Sequence, residues 1–362
     1  MKIVFFLRDI SDCGGIQQTT CNLINSLLNS NSGYEISTIS LYHKSNDTFF
    51  LLNEKVERIA LFNKPVNQRF SYFSIKGRLK RALSSISYDI LVVQGILFSI
   101  YLPKKAFVRN NVITCEHGHY GMGTNFGFHA MGRKNAIKKA KAIVTLTELD
   151  RDVYREHCSD SKIVEAIPNA YLPLGFIPTY YSDSKTIISV GTLDNIKQMD
   201  HVIKAAQIVL PKYPEWKWLI YGDGPNKNDL QNQIEESGLK DRIILCGYET
   251  DKKVVYGDKS FLVLTSKFEG FGMVLLEALQ FKLPLISYNV KFGPKEIVQE
   301  GINGHLVDPN NIEELAKAVS NLIDRKEERI KLSNNSVKTI DCFSQENVVA
   351  KWEDLFHRVL NN

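Results

Sequence analysis

The 362-residue sequence contains no apolar run long enough to cross a membrane. A transmembrane helix needs roughly 18 or more consecutive apolar residues without charge. The first apolar run, KIVFFL at 2–7, ends at Arg8 and Asp9, which is typical of a β-strand. A secretory signal would need a longer apolar region and a small-residue cleavage site. We therefore expect a cytoplasmic protein.

Paired cysteines and metal-binding motifs are also missing. The six cysteines stand at positions 13, 21, 115, 158, 246 and 342, without a CxxC spacing. We expect reduced thiols rather than disulfides or a zinc site. There is no HExxH, and the formal DxD of Asp150-Arg151-Asp152 falls where acidic residues suit a helix start. We predict no metal and no cofactor, and the lack of GxGxxG argues against a dinucleotide site.

The net charge of +5 conceals an uneven distribution. Residues 1–170 carry 22 basic and 14 acidic side chains, a net charge of +8, whereas the remainder carries −3. The basic excess is concentrated in 58–87, where Phe70, Tyr72 and Phe73 are interleaved with basic residues, and in 133–141. Three interpretations stay open: an anionic membrane surface or lipid phosphate, nucleic acid, or a solvated basic face. The aromatic residues follow no nucleic-acid-binding motif, so we expect no nucleic-acid partner.

Short apolar runs rich in β-branched residues alternate with helix-length amphipathic stretches, which predicts an α/β fold. The first series comprises KIVFFL (2–7), YEISTISLY (34–42), DILVVQG (89–95), VITCEH (112–117) and AIVTLT (142–147). The second comprises TIISVG (186–191), WKWLIYG (216–222), RIILCG (242–247), FLVLTS (261–266), LPLISY (283–288) and HLVD (305–308). Near-continuous apolar strands indicate parallel sheets covered on both faces. We therefore predict two Rossmann-like, doubly wound domains facing a central cleft.

The boundary between the two series falls in 168–185, which holds three prolines, a glycine and several small polar residues. We predict an N-terminal domain at 1–170 and a C-terminal domain at 171–343. Residues 344–362 carry one apolar stripe, which predicts a terminal helix that crosses back toward the N-terminal domain.

Several polar or glycine-rich motifs follow predicted strands, where open parallel sheets bind ligands. Gly14 and Gly15 precede a helix, so their backbone can approach a phosphate, although a plain tight turn explains them as well. His117 ends a strand, and its ordinary alternative is a satisfied hydrogen-bonding role. Lys197 can meet a diphosphate as a point charge or remain a solvated lysine. The GDGP at 222–225 leaves a gap for a ligand or forms a turn.

The stretch KFEGFGMVLLEALQ at 267–280 is the most informative. Gly270 and Gly272 keep the chain open before a helix whose first free amides form an anion site. Glu277 lies in the apolar part of that helix, where a buried carboxylate needs donors such as the vicinal hydroxyls of a ribose. Glu269 precedes the helix and could accept from a second sugar. The order of ribose, phosphates and sugar indicates a nucleotide-sugar, whereas the alternative is a surface-facing Glu277 on an ordinary helix.

Together these motifs resemble those of the retaining glycosyltransferases of family four, of the bacterial surface-polysaccharide type, which have the GT-B fold. The resemblance is carried by Gly14-Gly15, His117, Pro168-Asn169, the segment 191–197, GDGP at 222–225, Glu269 with Glu277, GPKEI at 293–297 and GING at 301–304. It spans nearly the whole chain and is strongest from 186 to 310.

The resemblance implies a role for each matching position. The implied catalytic residues are His117, Lys197 and Glu269. The implied donor-binding residues are Gly14, Gly15, Lys197, Gly270, Phe271, Gly272 and Glu277. In this scheme Lys197 contacts the diphosphate, Glu277 binds the ribose, and Glu269 holds the donor sugar.

The chain departs from the family at Thr192, where members usually carry arginine. One of two phosphate-binding cations is therefore missing at that position. Arg8 or Lys295 could replace it, or the diphosphate could be bound more weakly.

The reaction implied is retaining, metal-independent transfer from a nucleotide-sugar, by preference a UDP-sugar, to a glycan or lipid-linked acceptor in capsule, exopolysaccharide or lipopolysaccharide synthesis. Lys197 and the helix N-terminus would stabilise the charge that grows on the diphosphate. A nucleotide-sugar epimerase of the same fold is the alternative, with His117 and Glu269 as acid and base. A lipid-linked acceptor would bring the protein to the inner face of the cell membrane, through the basic and aromatic stretch 64–81.

Overall fold

The computed structural model describes residues 1–30, 33–109, 111–122 and 127–361. The chain divides into two compact units. Unit 1 comprises Met1–Leu172 together with Gln345–Asn362, and unit 2 comprises Pro173–Ser344. None of the helices in the described residues combines the length and the apolar character that crossing a bilayer requires.

Unit 1 contains a sheet of seven strands, all paired in parallel. The strands are β1 (Lys2–Leu7), β2 (Glu35–Tyr42), β3 (Glu57–Phe62), β4 (Ile90–Gln94), β5 (Asn111–Cys115), β6 (Ala142–Thr145) and β7 (Ile163–Ala166). Their spatial order is β3-β2-β1-β4-β5-β6-β7. The central strands β1 and β4 are almost wholly buried, because apolar side chains on both sheet faces are covered.

Helices connect these strands. They are α1 (Gly15–Asn29), α2 (Tyr72–Ser85), α3 (Lys104–Arg109), α4 (Phe128–Lys139) and α5 (Glu148–Arg155), with a 3-10 helix at Ile96–Tyr101. The amphipathic helix α2 buries Ile75, Leu79 and Leu83, which recur at helical spacing. Its opposite face carries basic residues of the segment 58–87.

Unit 2 contains a sheet of six parallel strands. The strands are β8 (Thr186–Val190), β9 (Lys217–Tyr221), β10 (Ile243–Gly247), β11 (Phe261–Leu264), β12 (Leu285–Tyr288) and β13 (Gly304–Val307). Their spatial order is β10-β9-β8-β11-β12-β13. The helices are α6 (Met199–Val209), α7 (Lys227–Glu236), α8 (Lys252–Tyr256), α9 (Met273–Gln280), α10 (Pro294–Ile297), α11 (Ile312–Asp324) and α12 (Lys326–Thr339), with 3-10 helices at Leu210–Lys212 and Asp341–Phe343.

The last helix, α13 (Gln345–Asn361), belongs to unit 1. Its apolar stripe is buried and comprises Val348, Val349, Trp352, Leu355, Phe356 and Val359. These side chains share a core with Ile3 and Phe5 of β1 and with Ile24 of α1. Arg358 adds an ion pair with Glu165 of β7 at 2.9 Å. Because Trp352 and Phe356 are each at most 5% exposed, α13 is an integral part of the unit 1 core.

Both sheets are doubly wound, which confirms the predicted α/β fold with two Rossmann-like domains. In unit 1 the strand order reverses between β1 and β4, and in unit 2 it reverses between β8 and β11. Ligands bind such sheets at the carboxyl ends of the strands beside the reversal. These two places are therefore where functional side chains are expected.

Candidate functional site

Two loops of unit 2 meet at the carboxyl ends of β8 and β11. The loop at 191–198 follows β8, and the loop at 265–272 follows β11. The N–H of Lys267 donates to the carbonyl oxygen of Ile196 at 2.7 Å, and Thr265 Oγ1 donates to the carbonyl oxygen of Lys197 at 2.9 Å. These bonds hold the two loops in one fixed arrangement beside the reversal in strand order.

Lys197 and Glu269 form an ion pair between these loops. Lys197 Nζ lies 2.5 Å from Glu269 Oε1, and Ser266 Oγ donates to the same oxygen at 2.7 Å. Asp194 Oδ1 accepts from the backbone N–H of Lys197 at 3.0 Å, within the loop just ahead of α6. Glu269 is buried, whereas the Lys197 side chain is 19% exposed. An ammonium group has three donors, so Lys197 can hold the carboxylate and still contact an anionic ligand.

The segment 270–272 leads directly into α9. Gly272 precedes the helix with φ +98°, a conformation that favours glycine. Phe271 is buried with its ring 5.5 Å from that of Phe343, which anchors the segment. A Cβ on Gly293 would lie 2.5 Å from the carbonyl oxygen of Phe271, so the GPKEI motif packs tightly beneath this turn. The first turn of α9, which begins with Met273, Val274 and Leu275, has no acidic side chain that would repel an anion. The free N–H groups and the dipole at this end of the helix favour an anion.

Glu277 lies in the second turn of α9 and has two partners from α8. Tyr256 donates its hydroxyl to Glu277 Oε2 at 2.6 Å, and Lys252 Nζ lies 2.9 Å from Glu277 Oε1. The Glu277 side chain is only 12% exposed, so the alternative of a surface-facing Glu277 is wrong. The sequence correctly predicted that this carboxylate needs donors, but Tyr256 and Lys252 were missed.

Three glycines of unit 2 allow the loops after β8 and β9 to touch. A Cβ on Gly222, which has φ +138°, would lie 1.9 Å from the carbonyl oxygen of Gly191. A Cβ on Gly224 would lie 2.5 Å from the carbonyl oxygen of Leu193. The Lys197 side chain passes over Gly191, where a Cβ would be 3.2 Å from Lys197 Cγ. The glycines of GDGP thus serve close backbone packing around Lys197.

Gly14, Gly15 and His117 lie in unit 1, beside its own reversal in strand order. Gly14 has an extended backbone before α1, and Gly15 is the first residue of that helix. His117 follows β5, and its Nε2 lies 2.5 Å from Gln94 Oε1 at the end of β4. Burial lowers the pKa of the His117 imidazole to about 4, so the ring is neutral near pH 7.

The acidic residues beside His117 have structural partners. Glu116 accepts from the Tyr154 hydroxyl at 2.8 Å and from the N–H of Gly118 at 3.0 Å, and burial raises its pKa. Asp150 of the formal DxD is buried and accepts from the N–H of Tyr120 at 2.8 Å. In the described part of the chain, no three His, Cys, Asp or Glu side chains are grouped so as to hold a metal ion.

The structure brings Lys197, Glu269 and the segment 270–272 together in unit 2. The sequence did not predict that Lys197 and Glu269 contact each other, nor that Ser266 donates to Glu269 and Gln94 pairs with His117. Arg8 and Lys295 were the two candidates to replace the phosphate-binding arginine that is missing at Thr192. Arg8 pairs with Asp12 at 2.9 Å, and Lys295 is exposed.

Residues 176–339 match the model of the family described as glycosyl transferases group 1. An uncharacterized glycosyltransferase of Haemophilus influenzae is 31% identical over 360 residues, covering 98% of this chain and 99% of that protein. The amylovoran biosynthesis glycosyltransferase AmsD of Erwinia amylovora is 25% identical over 98% of this chain and 99% of its own length.

The fold has a close counterpart among solved structures. The crystal structure of Anabaena HepE in complex with UDP and glucose has a TM-score of 0.79, at 16% identity, over 99% of this chain and 100% of that chain. At this identity the likeness concerns the fold alone. The match to the Haemophilus protein over nearly the whole length, together with the family model, shows that the chain is a glycosyltransferase with the GT-B fold and belongs to family four, the glycosyl transferases group 1.

Proposed function

We propose that this glycosyltransferase moves a sugar from a UDP-sugar to a glycan or lipid-linked acceptor in the synthesis of a surface polysaccharide, with retention of the anomeric configuration. The observation that carries the proposal is the Lys197–Glu269 ion pair ahead of α9, with Glu277 fixed farther along the same helix. These groups suit a nucleotide-sugar: the cation and the helix N-terminus suit its diphosphate, and the two anchored carboxylates suit the hydroxyls of its ribose and its sugar.

In the proposed donor site each group has one task. The Lys197 ammonium and the amides of 270–272 bind the diphosphate, and Glu277 accepts from the ribose hydroxyls. Glu269 orients the donor sugar and holds Lys197 in place. Unit 2 is thus the donor-binding domain, and unit 1 is the acceptor-binding domain.

In the proposed reaction the acceptor hydroxyl attacks the anomeric carbon on the face from which the diphosphate leaves. The bond from the anomeric carbon to the diphosphate oxygen breaks, and a phosphate oxygen of the leaving group takes the acceptor's proton. Lys197 and the α9 N-terminus stabilise the charge that develops on that group. His117 contributes a neutral imidazole whose Nε2–H donates to Gln94 Oε1, which leaves Nδ1 to accept from a sugar hydroxyl. The open backbone of Gly14 and Gly15 at the start of α1 suits a phosphate.

The known proteins support the ligand classes. HepE is a fold counterpart that binds UDP and glucose, and AmsD is a relative that acts in amylovoran biosynthesis. Calorimetric titration of the protein with UDP-, GDP- and ADP-sugars tests the donor. Binding of a UDP-sugar alone is expected, whereas binding of none of the three would overturn the proposal. The stereochemistry is tested by NMR of the transfer product, where an inverted anomeric linkage would exclude retention.

An epimerase would use the same donor site without an acceptor. Lys197 favours transfer, because a cation paired at the diphosphate assists its departure. Incubation with the UDP-sugar alone, followed by NMR of the sugar, separates the two reactions. A changed configuration of the sugar, with no acceptor present, would support the epimerase instead.

We further propose that unit 1 contacts an anionic membrane surface through the start of α2. Phe70, just before α2, and Phe73, in its first turn, are 93% and 84% exposed. The exposed Lys80 and Arg81 lie farther along the same helix. Exposed aromatic rings with neighbouring cations suit the interface of an anionic bilayer. Arg78 is less available, because it donates to the carbonyl oxygen of Leu61 at 2.8 Å.

Sedimentation with vesicles of phosphatidylglycerol and phosphatidylcholine tests this contact. The double variant Phe70→Ser, Phe73→Ser should lose most of the bound fraction, as should charge reversal at Lys80 and Arg81. Leu51→Ser is the matched control, because Leu51 is 85% exposed and lies outside the basic stretch. Equal sedimentation of all these variants would remove the membrane contact from the proposal.

A further inference from the structure

The helix α8 presents two side chains to the Glu277 carboxylate. Lys252 and Tyr256 are one helical turn apart and therefore lie on the same face of α8. Each contacts a different carboxylate oxygen: Tyr256 the Oε2 at 2.6 Å and Lys252 the Oε1 at 2.9 Å. The carboxylate is consequently held at both oxygens by one short helix.

Tyr256 is the rigid member of this pair. Its ring is 2% exposed and lies 5.6 Å from the ring of Phe281, directly after α9. Burial holds the pKa of its hydroxyl well above the usual range, so the hydroxyl remains a donor. At the other end of α8, Asp251 accepts from the N–H of Lys253 at 2.8 Å and caps the helix. A hydroxyl so placed leaves the carboxylate little freedom to rotate.

Lys252 is the accessible member. Its side chain is 35% exposed, whereas that of Glu277 is 12% exposed. A carboxylate has about four acceptor positions, and the two contacts from α8 fill two of them. Two positions remain, which is the number that a pair of vicinal hydroxyls needs.

We propose that Tyr256 and Lys252 are positioning residues that fix the Glu277 carboxylate for the two ribose hydroxyls of the nucleotide. The inference rests on the proposed function, because it takes Glu277 as the ribose-binding group. Neither residue needs to touch the reacting atoms. Their contribution is to donor recognition, through a preorganised acceptor.

The test compares UDP with 2′,3′-dideoxy-UDP, which lacks both hydroxyls. Calorimetric titration gives a dissociation constant for each nucleotide. The ratio of the constant for 2′,3′-dideoxy-UDP to that for UDP isolates the contribution of the hydroxyls. For the native protein the ratio should be about 10 or more, since hydrogen bonds to a charged group are strong. Tyr256→Phe keeps the ring and removes the donor, and it should lower the ratio by roughly fivefold. Lys252→Met should lower it as well, whereas Lys252→Arg should retain it.

Tyr221→Phe is the matched control. The Tyr221 hydroxyl donates to the carbonyl oxygen of Val254 at 3.3 Å, so it supports the same helix without touching Glu277. Its removal should leave the ratio unchanged, and thermal denaturation of every variant checks that the fold is intact.

The outcomes separate the inference from the proposed function. If the native protein fails to bind UDP, or binds both nucleotides equally, the ribose-binding role of Glu277 is wrong. If the native protein discriminates and Tyr256→Phe and Lys252→Met discriminate equally well, the positioning role is wrong. Weaker binding of both nucleotides at an unchanged ratio would likewise overturn the positioning role. That result would mean that Tyr256 and Lys252 support the fold of the site in general.

Discussion

Lys197 Nζ lies 2.5 Å from Glu269 Oε1, although the two residues are 72 positions apart in the chain. The contact exists because β8 and β11 are neighbours in the sheet, so the loops that follow them share one edge. Glu269 is buried, and removing one member of such a pair leaves the other without its counter-charge. The two residues therefore have to be interpreted together.

Replacement of Lys197 by Met should abolish most of the turnover. The donor diphosphate would lose its cation at the moment when negative charge develops on the leaving group. Loss of one such stabilising donor typically lowers kcat by about 10²–10³-fold. Steady-state kinetics with the UDP-sugar measure the effect. Lys267→Met is the matched control, because Lys267 is exposed in the adjoining loop. Similar kinetics for both variants would contradict the role of Lys197.

The two glutamates should respond differently to replacement by alanine. Glu277→Ala removes the acceptor for the ribose and should raise the dissociation constant for UDP by roughly 10-fold or more. Glu269→Ala releases Lys197 from its partner, so affinity for the diphosphate should be retained while kcat falls. Titration with UDP and kinetic measurement of transfer give both quantities. If both variants transfer sugar normally, the site assignment is wrong.

The strands of unit 2 could be predicted from the sequence because each is a short, largely apolar run between turn residues. All six predicted runs, from TIISVG to HLVD, correspond to strands β8 to β13. In unit 1, β3 and β7 were missed. β3 begins with Glu57 and Arg58 and buries only Leu61, as an edge strand can, and the short β7 is interrupted by Glu165. Neither shows the run of buried apolar residues from which strands were identified.

The partners inside the site could not be predicted in the same way. The apolar surroundings of Glu277 in the sequence correctly indicate a carboxylate that needs donors. Which residues supply them depends on how α8 packs on α9, and neither Lys252 nor Tyr256 belongs to a recognisable motif. Likewise, Gly222 is a turn residue in the sequence, and only the structure shows its contact with Gly191.

Gly222→Ala should destabilise unit 2. The new Cβ would lie 1.9 Å from the carbonyl oxygen of Gly191, at a φ of +138° that other residues rarely adopt. The displaced backbone should cost about 2–4 kcal/mol, which lowers the melting temperature by several degrees. Calorimetric unfolding measures the change.

Gly77→Ala supplies the comparison of opposite sign. Gly77 lies within α2, and a Cβ there meets no heavy atom within 4 Å among the described residues. Alanine in a helix interior is favoured over glycine by roughly 0.5–1 kcal/mol, so this variant should be slightly more stable. Equal melting temperatures for Gly222→Ala and Gly77→Ala would show that the loops after β8 and β9 can move apart without loss of stability.

His117 should make the protein less stable as the pH falls from about 6.5 to about 4. Its pKa is lowered by burial to about 4 from 6.5, so in this window the unfolded chain binds a proton that the folded chain does not. The contribution of His117 to the free energy of unfolding is fully present above pH 6.5, decreases through the window, and stops changing below pH 4.

Glu116 has a raised pKa, which changes the stability in the opposite direction at acidic pH, so a difference measurement is required. The free energy of unfolding of the native protein minus that of His117→Gln should decrease by roughly 1–3 kcal/mol between pH 7 and pH 4. Denaturant titrations at a series of pH values give this difference, and a constant value across the window would show that His117 is not held neutral by burial.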